Sequence, residues 1–357
     1  MHTQSKYRLL VVRLGAMGDI LHALPAVTAL RQAHPDWTID WVVEPRWRAL
    51  LSALDVADPN PVRCVAQPLV DQLYHARTRD WRQRPLSDQT RSEIKSLRAA
   101  LRDADYDVVL DLQGAIRSAV VARFANSRRL IGESNPRERI ARFLFTERVA
   151  TTQAHVIDQD VELASAIAGD DLIPAYPSLP LDRAAEAWAE TTLPPSRSQP
   201  SVLINPGAGW GAKRWPIERF ATVAQALIQK GLRVLVNTGP GEEFLAQTLS
   251  QQTNGAIFPL SCTVAQLIAV TRRISLCIAG DTGPLHLACA LGRSVVGIYG
   301  PTDPSRNGPY GTRFKVLRSS QSRRDHTRHA APEAGLLTIQ PDDVLNAAAE
   351  LLAGEAP

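Results

Sequence analysis

Three glycine-containing turns carry the residues whose types and spacing could do chemistry. Gly15-Ala-Met-Gly-Asp19 follows an apolar run, Asn205 to Pro216 contains three glycines before Lys213 and Arg214, and Gly280 to Pro284 follows a second apolar run. Each turn joins a predicted strand to a predicted helix. Ligands of open parallel sheets bind at such turns, where free backbone N–H groups and the helix dipole favour anions. The turns therefore predict a site for an anionic ligand.

The first turn does not have the glycine spacing of a dinucleotide site, G-x-G-x-x-G. Glu44, just past the second predicted strand, nevertheless stands where such a site keeps its ribose-binding acid, so a nicotinamide-dependent oxidoreductase is one alternative. Asp19 lies in the first turn of the predicted helix. There a carboxylate is either a helix cap or a general base.

The second turn suits a phosphate group. Gly207, Gly209 and Gly211 would allow a ligand to approach the backbone closely, and Lys213 with Arg214 adds positive charge. The alternative is an ordinary flexible loop that ends in a solvated basic pair.

The third turn exposes a helix N-terminus, which is a second seat for an anion. Asp281 carries the same sign of charge as a diphosphate and is not expected to bind it directly. Its carboxylate suits a helix cap or the acceptor of a hydrogen bond from a hydroxyl group. Glu242 follows Thr-Gly-Pro-Gly at the end of another predicted strand. Its position suits either a hydrogen bond to ribose hydroxyls or a charge interaction with the helix N-terminus.

Strands and helices alternate in both halves of the chain, which predicts parallel sheets covered on both faces. Strands are predicted at 7–14, 38–43, 107–112, 202–205, 233–238, 275–279 and 294–299. Helices are predicted at 20–33, 87–104, 113–125, 217–230, 242–252, 263–269 and 284–291, and Thr263 with Gln266 forms a capping box. The proline-rich stretch 174–200 would join the two halves, with a helix at 183–192 inside it.

Composition narrows the functional classes. A chain of 357 residues with 45% hydrophobic and 21% charged residues is expected to form two globular domains. A net charge of +4 is too small to indicate nucleic-acid binding. The four cysteines have neither disulfide-framework nor zinc spacing, the Asp-x-Asp triplets lie outside nucleotide loops, and the start lacks a signal peptide. A cytoplasmic protein without a metal site or a cofactor is expected.

The chain resembles the ADP-heptose:lipopolysaccharide heptosyltransferases of glycosyltransferase family 9. The resemblance rests on R-L-G-A-M-G-D-I-L-H-A-L-P, P-G-A-G-W-G-A-K-R-W-P and G-D-T-G-P-L-H-L-A, with W-V-V-E-P-R-W and D-L-Q-G-A-I-R-S-A between them. It implies an α/β protein of the GT-B fold, two Rossmann-like domains facing a cleft. The expected domains are 1–180, which binds the acceptor and holds the base, 181–335, which binds the donor, and a C-terminal helix in 336–357 that packs back on the first domain.

The resemblance also implies residue roles. Asp19 resembles the catalytic base, Lys213 the lysine that neutralises the donor diphosphate, and Glu242 the residue that meets the ribose. The other donor-binding positions are Gly209, Cys262 facing the adenine, Asp281, Thr282, Gly283 and His286. Ala208 and Gly209 stand where related enzymes can have hydroxyl residues, so diphosphate contacts there would come from the backbone.

The implied partners are ADP-heptose and the Kdo sugar of Kdo–lipid A at the inner-membrane surface. Segments 77–102 and 112–150 each hold eight Lys/Arg against three Asp/Glu, net +5, which suits an acidic acceptor. The predicted acceptor-binding residues are Arg79, Arg82 and Arg117. The arginine-rich stretch favours a type I enzyme. A type II enzyme, another nucleotide-sugar enzyme of this fold and a non-catalytic sugar-binding protein are the alternatives.

Overall fold

The computed structural model describes residues 7–53, 63–193, 199–325, 327 and 329–354. The chain divides into two compact units, Met1–Leu181 and Asp182–Pro357, so the boundary lies one residue after the expected one. Residues 194–198 of the predicted proline-rich connection lie outside the described residues. The helix predicted inside that connection is present at Arg183–Thr192.

The first unit contains a six-stranded sheet in the order β3-β2-β1-β4-β5-β6, and all its strand pairs are parallel. The strands are β1 (Arg8–Val12), β2 (Thr38–Val43), β3 (Leu73–His75), β4 (Val108–Asp111), β5 (Arg129–Glu133) and β6 (Glu147–Val149). β1, β2 and β4 are almost fully buried, because helices cover both faces of a parallel sheet. Their continuous apolar runs made them recognisable in the sequence.

Among the described residues of this unit, five helices accompany the sheet: α1 (Met17–Ala33), α2 (Thr78–Gln83), α3 (Asp88–Asp103), α4 (Ile116–Ala122) and α5 (Val156–Ala168). α1 packs on α5, and its inward residues, such as Ile20 and Leu24, are almost fully buried. A 3₁₀ turn at Arg139–Phe143 packs on α4. The helix α4 starts three residues later than predicted.

The second unit repeats the architecture with the order β12-β11-β10-β7-β8-β9, again entirely parallel between the named strands. The strands are β7 (Ser201–Asn205), β8 (Arg233–Asn237), β9 (Phe258–Leu260), β10 (Leu276–Gly280), β11 (Ser294–Tyr299) and β12 (Phe314–Arg318). Read from β9, this is the same order as in the first sheet, the dinucleotide-fold order 3-2-1-4-5-6. The predicted α/β class with Rossmann-like sheets is confirmed.

In the part of the second unit that the structure describes, seven helices accompany the sheet: α6 (Arg183–Thr192), α7 (Ile217–Gln229), α8 (Glu243–Gln252), α9 (Val264–Thr271), α10 (Gly283–Ala290), α11 (Pro304–Asn307) and α12 (Pro341–Ala353). The predicted capping box is present at α9, where the Thr263 hydroxyl accepts from the Gln266 N–H. The C-terminal helix α12 packs on α7, β11 and β12. Its buried Val344, Ala348 and Leu351 belong to the core of the second unit, and the expected packing on the first domain stays a prediction.

No helix in the described part of the chain combines the length and apolarity needed to cross a membrane.

Candidate functional site

The predicted Asp19 turn, Lys213 loop and Asp281 turn follow strands at which the strand order of their sheet reverses. That reversal opens a crevice at the carboxyl ends of the strands, where ligands of such folds bind. In the second unit these strands are β7, which leads into the Lys213 loop, and β10, which leads into Asp281. Topology therefore brings together two turns that are far apart in the sequence. The other predicted site residues follow different strands, except Arg117 after β4: Arg79 and Arg82 follow β3, Glu242 follows β8 and Cys262 follows β9.

Lys213 and Asp281 form a buried ion pair. The Lys213 Nζ lies 2.5 Å from Asp281 Oδ2, and the two side chains are 12% and 7% exposed. The other carboxylate oxygen lies 3.0 Å from His286 Nε2. Burial raises the pKa of Asp281, but the His286 hydrogen bond and the Lys213 charge outweigh it and leave the pKa well below its usual range. The Lys213 ammonium also lies 4.4 Å from the centre of the Trp210 ring, so Asp281 and Trp210 together hold its position.

Thr282 and Gly283 begin helix α10. Thr282 is the N-cap residue in an extended conformation, and its hydroxyl donates to the Gly280 carbonyl, so it does not cap the helix with its side chain. The first backbone N–H groups of a helix have no partner within it and point outward from its N-terminus. In α10 they lie next to the Lys213–Asp281 pair, which makes this end of the second sheet suitable for an anion.

The three glycines of the Lys213 loop have different surroundings. A Cβ on Gly207 would lie 1.9 Å from Glu242 Oε2, and one on Gly211 would lie 1.7 Å from the Ala330 carbonyl oxygen. These two glycines therefore make room for the protein itself, contrary to the prediction that all three admit a ligand. Gly209 is exposed and meets nothing within 4 Å, so it keeps the open space that the prediction required.

Glu242 is held in this loop rather than pointing into solvent. Its Oε1 lies 3.2 Å from Arg214 Nη2, and its Oε2 accepts from the Gly239 N–H. Cys262 lies directly before the N-cap of α9, half-buried, and burial raises the pKa of its thiol to about 11. Its side chain is therefore a neutral, weakly polar surface at neutral pH.

In the first unit, Asp19 lies at the start of α1, after β1. Its Oδ2 accepts from the Ala16 N–H at 2.9 Å, and its Oδ1 lies 3.5 Å from Nη2 of the buried Arg13. The carboxylate is 35% exposed, so it combines a capping role with access from solvent. Its position is compatible with both predicted roles.

The turn after β4 lies beside this one, and its contribution was missed in the sequence. Asp111 accepts from the N–H groups of Gln113 and Gly114 and from the Ser118 hydroxyl, while the Gln113 side chain accepts from the Leu14 N–H. Burial raises the pKa of Asp111 to about 6 despite these hydrogen bonds. They also explain why α4 starts late, because the turn uses the residues that the prediction placed in the helix. The sequence did offer a signal for this turn: Arg13 and Asp111 are charged residues at the ends of apolar strands.

Arg79 and Arg117, two of the three predicted acceptor arginines, lie near Arg46, which was not predicted as a site residue. Burial and the charges of Arg79 and Arg117 lower the pKa of Arg46, so the three guanidinium groups share one region. Arg46 also lies 4.7 Å from the centre of the Trp47 ring, and a Cβ on Gly15 would lie 2.8 Å from the Trp47 Nε1. The cluster is thereby linked to the Asp19 turn.

Arg82 does not belong to this cluster. It is exposed on α2, and within the described ranges it makes no hydrogen bond or ion pair. Glu44 accepts from the Thr78 hydroxyl at 2.5 Å and lies 3.9 Å from Arg46 Nε. The Glu44 carboxylate is therefore engaged by Thr78 and Arg46 within the first unit. Its position after β2 had suggested a ribose-binding acid.

No cluster of three or more His, Cys, Asp or Glu side chains able to hold a metal ion occurs among the residues that the structure describes.

Comparisons with known proteins place the chain in a family. The family model of glycosyltransferase family 9 (heptosyltransferase) matches residues 94–336. Lipopolysaccharide heptosyltransferase 1 of Escherichia coli K12 is 29% identical over 322 residues, which cover 87% of this chain and 93% of that protein. The enzyme of the same name from Pseudomonas aeruginosa is 26% identical, covering 85% of this chain and 81% of that protein.

Solved structures agree with this placement. The structure of the E. coli heptosyltransferase WaaC with ADP matches with a TM-score of 0.77 and 26% identity, covering 96% of this chain and 99% of that one. That of E. coli ADP-heptose lps heptosyltransferase II supports the fold, with a TM-score of 0.76 and 22% identity over 98% and 99% of the two chains. The nicotinamide oxidoreductase and the non-catalytic sugar-binding protein are thereby rejected. The chain belongs to glycosyltransferase family 9, the heptosyltransferases, and is a glycosyltransferase of the GT-B fold.

Proposed function

We propose that this enzyme transfers L-glycero-D-manno-heptose from ADP-heptose to the Kdo sugar of Kdo–lipid A, with inversion at the anomeric carbon. The observation that carries the donor part is the convergence of Lys213, the N-terminus of α10 and the open Gly209 at the strand reversal of the second sheet. A relative solved with ADP and one solved with ADP-2-deoxy-2-fluoro heptose support the choice of donor.

In this proposal the second unit binds ADP-heptose. Lys213 and the N–H groups at Thr282 and Gly283 receive the diphosphate, and they hold its charge when ADP leaves. Asp281, fixed by His286, orients Lys213. Glu242 meets the ribose hydroxyls, and the neutral Cys262 thiol faces the adenine.

The first unit binds the acceptor and supplies the base. Kdo–lipid A carries carboxylates and phosphates, and arginine side chains form paired hydrogen bonds with both groups. Arg46, Arg79 and Arg117 are the proposed recognition residues, with Arg82 contributing through its charge. Asp19 removes the proton of the attacking hydroxyl as its oxygen bonds to the anomeric carbon, which is general base catalysis.

Contact with the inner-membrane surface is the third part of the proposal. It is supported by an exposed apolar patch, defined as Ile116 and Val120 on α4 with Ile140 and Phe143 on the adjacent 3₁₀ turn. Ile140 and Phe143 are 63% and 66% exposed. The patch is flanked by four arginines, Arg117, Arg123, Arg139 and Arg142, which form no ion pair within the described residues. Exposed apolar side chains among arginines suit an anionic bilayer surface.

The membrane part is tested by co-sedimentation with phosphatidylglycerol-containing vesicles. Changing Ile140 and Phe143 together to serine should reduce binding, because the apolar contribution is lost. Ile173→Ser is the control, since Ile173 is 80% exposed outside the patch. Equal binding of all three proteins, or equal binding to pure phosphatidylcholine vesicles, would argue against this surface.

The reaction itself is tested by mass spectrometry of Kdo–lipid A after incubation with ADP-heptose. One added heptose is expected, and none when the same acceptor is supplied with a UDP- or GDP-linked sugar. Addition only to an acceptor that already carries a heptose would identify a type II enzyme. Transfer from a different nucleotide sugar would instead indicate another activity of the same fold.

A further inference from the structure

The segment between β12 and α12 lies directly on the Lys213 loop, and the proposed function leaves it without a role. We name the described residues of this segment, 322–325, 327 and 329–336, the strap. The Ala212 N–H donates to the His329 carbonyl at 3.0 Å, and the Glu333 N–H donates to the Ala212 carbonyl at 3.2 Å. Both backbone groups of the residue before Lys213 are therefore bonded to the strap.

Gly211 shows how closely the two segments pack. A Cβ at this position would lie 1.7 Å from the Ala330 carbonyl oxygen and 2.8 Å from the Ala330 Cα. A side chain of any size would have to push the strap away from the loop. The two residues that precede Lys213 are thus both in close contact with the strap.

Glu333 holds the strap in this shape. Its Oε2 accepts from the Ser322 hydroxyl and from the Leu336 N–H, both at 2.9 Å. Burial raises its pKa, but these bonds, with those from the N–H groups of Gly335 and Arg323, lower the pKa overall, so the ionised form is favoured. One carboxylate therefore ties the beginning of the strap to its end, while the backbone of the same residue bonds to Ala212.

The end of the strap is anchored in the core. Leu336 is fully buried in the hydrophobic cluster of the second unit, and a Cβ on Gly335 would lie 2.2 Å from the Ser322 Oγ. The end of the strap is therefore held in the core of the second unit, and the Lys213 loop lies against the strap. The position of the ammonium group depends on this support because a short 3₁₀ turn, Gly211–Lys213, leads into it.

We infer that Glu333 is a positioning residue for the donor site: it holds the strap against Ala212 and thereby sets Lys213 for the diphosphate. The inference rests on the proposed function, because it assigns Lys213 to the diphosphate of the donor. Glu333 itself touches no substrate in this arrangement. Its effect should therefore fall on the phosphate part of the ligand and spare the nucleoside part.

The test compares ADP with adenosine by isothermal titration calorimetry. Glu333→Gln keeps the size of the side chain but replaces one accepting oxygen with an NH₂ group, which cannot accept the N–H bonds. The dissociation constant for ADP should rise about tenfold, the effect of losing one hydrogen bond to a charged group, and that for adenosine should stay within about twofold. Glu350→Gln is the matched control, since the exposed Glu350 forms an ion pair with Lys315 and takes no part in the strap hydrogen bonds described above.

Gly211→Ala provides a second variant, which keeps the Glu333 side chain and instead pushes the strap away from the Lys213 loop at Ala330. It should give the same selective loss of ADP affinity. If Glu333→Gln does not fold, this variant tests by itself whether contact with the strap positions Lys213. If the variants bound ADP and adenosine equally more weakly than the wild type, or if neither variant lost affinity for ADP, the positioning role would be overturned. Glu333 would then be a stabilising residue only. If the wild-type protein bound neither ligand, the proposed function would fail instead.

Discussion

The two sheets have the same strand order but prepare opposite electrostatic surroundings at the point where that order reverses. In the first unit the buried carboxylate at the end of β4 is Asp111, and burial raises its pKa to about 6 although Arg13 is close. In the second unit the buried carboxylate after β10 is Asp281, and His286 and Lys213 lower its pKa in spite of burial. The strand order decides where a site forms, while local partners decide which charge it carries.

This electrostatic difference matches the two different roles that we propose for the sites. The first site leaves a partly exposed carboxylate, Asp19, beside a buried arginine, which suits proton removal from a hydroxyl. The second site presents a fixed ammonium group beside a helix N-terminus, which suits a leaving diphosphate. Five predictions test whether the two sites differ in this way.

The largest effect is expected at the first site, for Asp19→Asn. Asparagine can still accept the Ala16 N–H but cannot take up the proton, so the turnover number should fall roughly 10²–10⁴-fold. ADP affinity and the melting temperature should change little, because Asp19 is 35% exposed. Steady-state kinetics measure the effect, with Asp36→Asn as the control on the exposed turn after α1. Retention of more than about a tenth of the activity would return Asp19 to the role of a helix cap.

The next effect is expected at the second site, for Lys213→Gln. Removing a charged donor to the diphosphate should raise the dissociation constant of ADP about 10- to 100-fold, since such bonds contribute roughly 1.5–3 kcal/mol. Calorimetry measures this, and Lys230→Gln at the exposed end of α7 is the control. A change in acceptor affinity of the same size would show that the two sites are not divided as proposed.

A smaller effect should separate Arg79 from Arg82. Arg79 influences Arg46 and Arg82 does not, so Arg79→Gln should raise the Michaelis constant for Kdo–lipid A more than Arg82→Gln. Because Arg79 is exposed, we expect roughly a twofold to fivefold change. Neither variant should alter ADP affinity. An equal effect of both would mean that the acceptor uses the whole face of α2 rather than the arginine cluster.

The pH dependence of stability should distinguish the two buried carboxylates. The folded-state pKa of Asp111 is raised to about 6, so the protein binds a proton that the unfolded chain releases above about pH 4. Its contribution is therefore most favourable at low pH and declines as the pH rises through 6. Going from pH 7 to pH 5 should stabilise the wild type by roughly 1 kcal/mol relative to Asp111→Asn. Urea unfolding of both proteins at the two pH values measures this.

Asp281 should behave in the opposite way. Its lowered pKa gives a contribution that is present above its unfolded pKa and is lost only in stronger acid, so it adds nothing to the change between pH 7 and pH 5. If Asp111→Asn retained the full pH dependence of the wild type, the contrast between the two sites would not hold.

The smallest effect is expected from chelation. Lys213 and the N-terminus of α10 are proposed to hold the charge of the leaving ADP without a divalent ion. Turnover in excess EDTA should therefore stay within a small factor of the untreated rate. Loss of turnover with rescue by magnesium or manganese would show that the second site needs a cation as well as its lysine.

Much of the fold could be predicted, because its signals are local. The bounds of β2, β11 and α6 agree with the predicted bounds to the residue, and the capping box of α9 was predicted from Thr263 and Gln266 alone. Five strands were not identified. β3, β6 and β9 have only three residues, too few to show a period. β5 and β12 have five residues, but charged residues at their ends or within them leave only short apolar runs.

The sequence by itself determined the three turns and the residue types in them, because glycines, caps and apolar runs act over a few neighbouring positions. Only the tertiary structure decided how those residues are used. Lys213 meets Asp281 across 68 positions, and Gly211 makes room for Ala330 rather than for a ligand. Such partners depend on which strands lie side by side, and the desolvation that sets each pKa depends on everything packed around them.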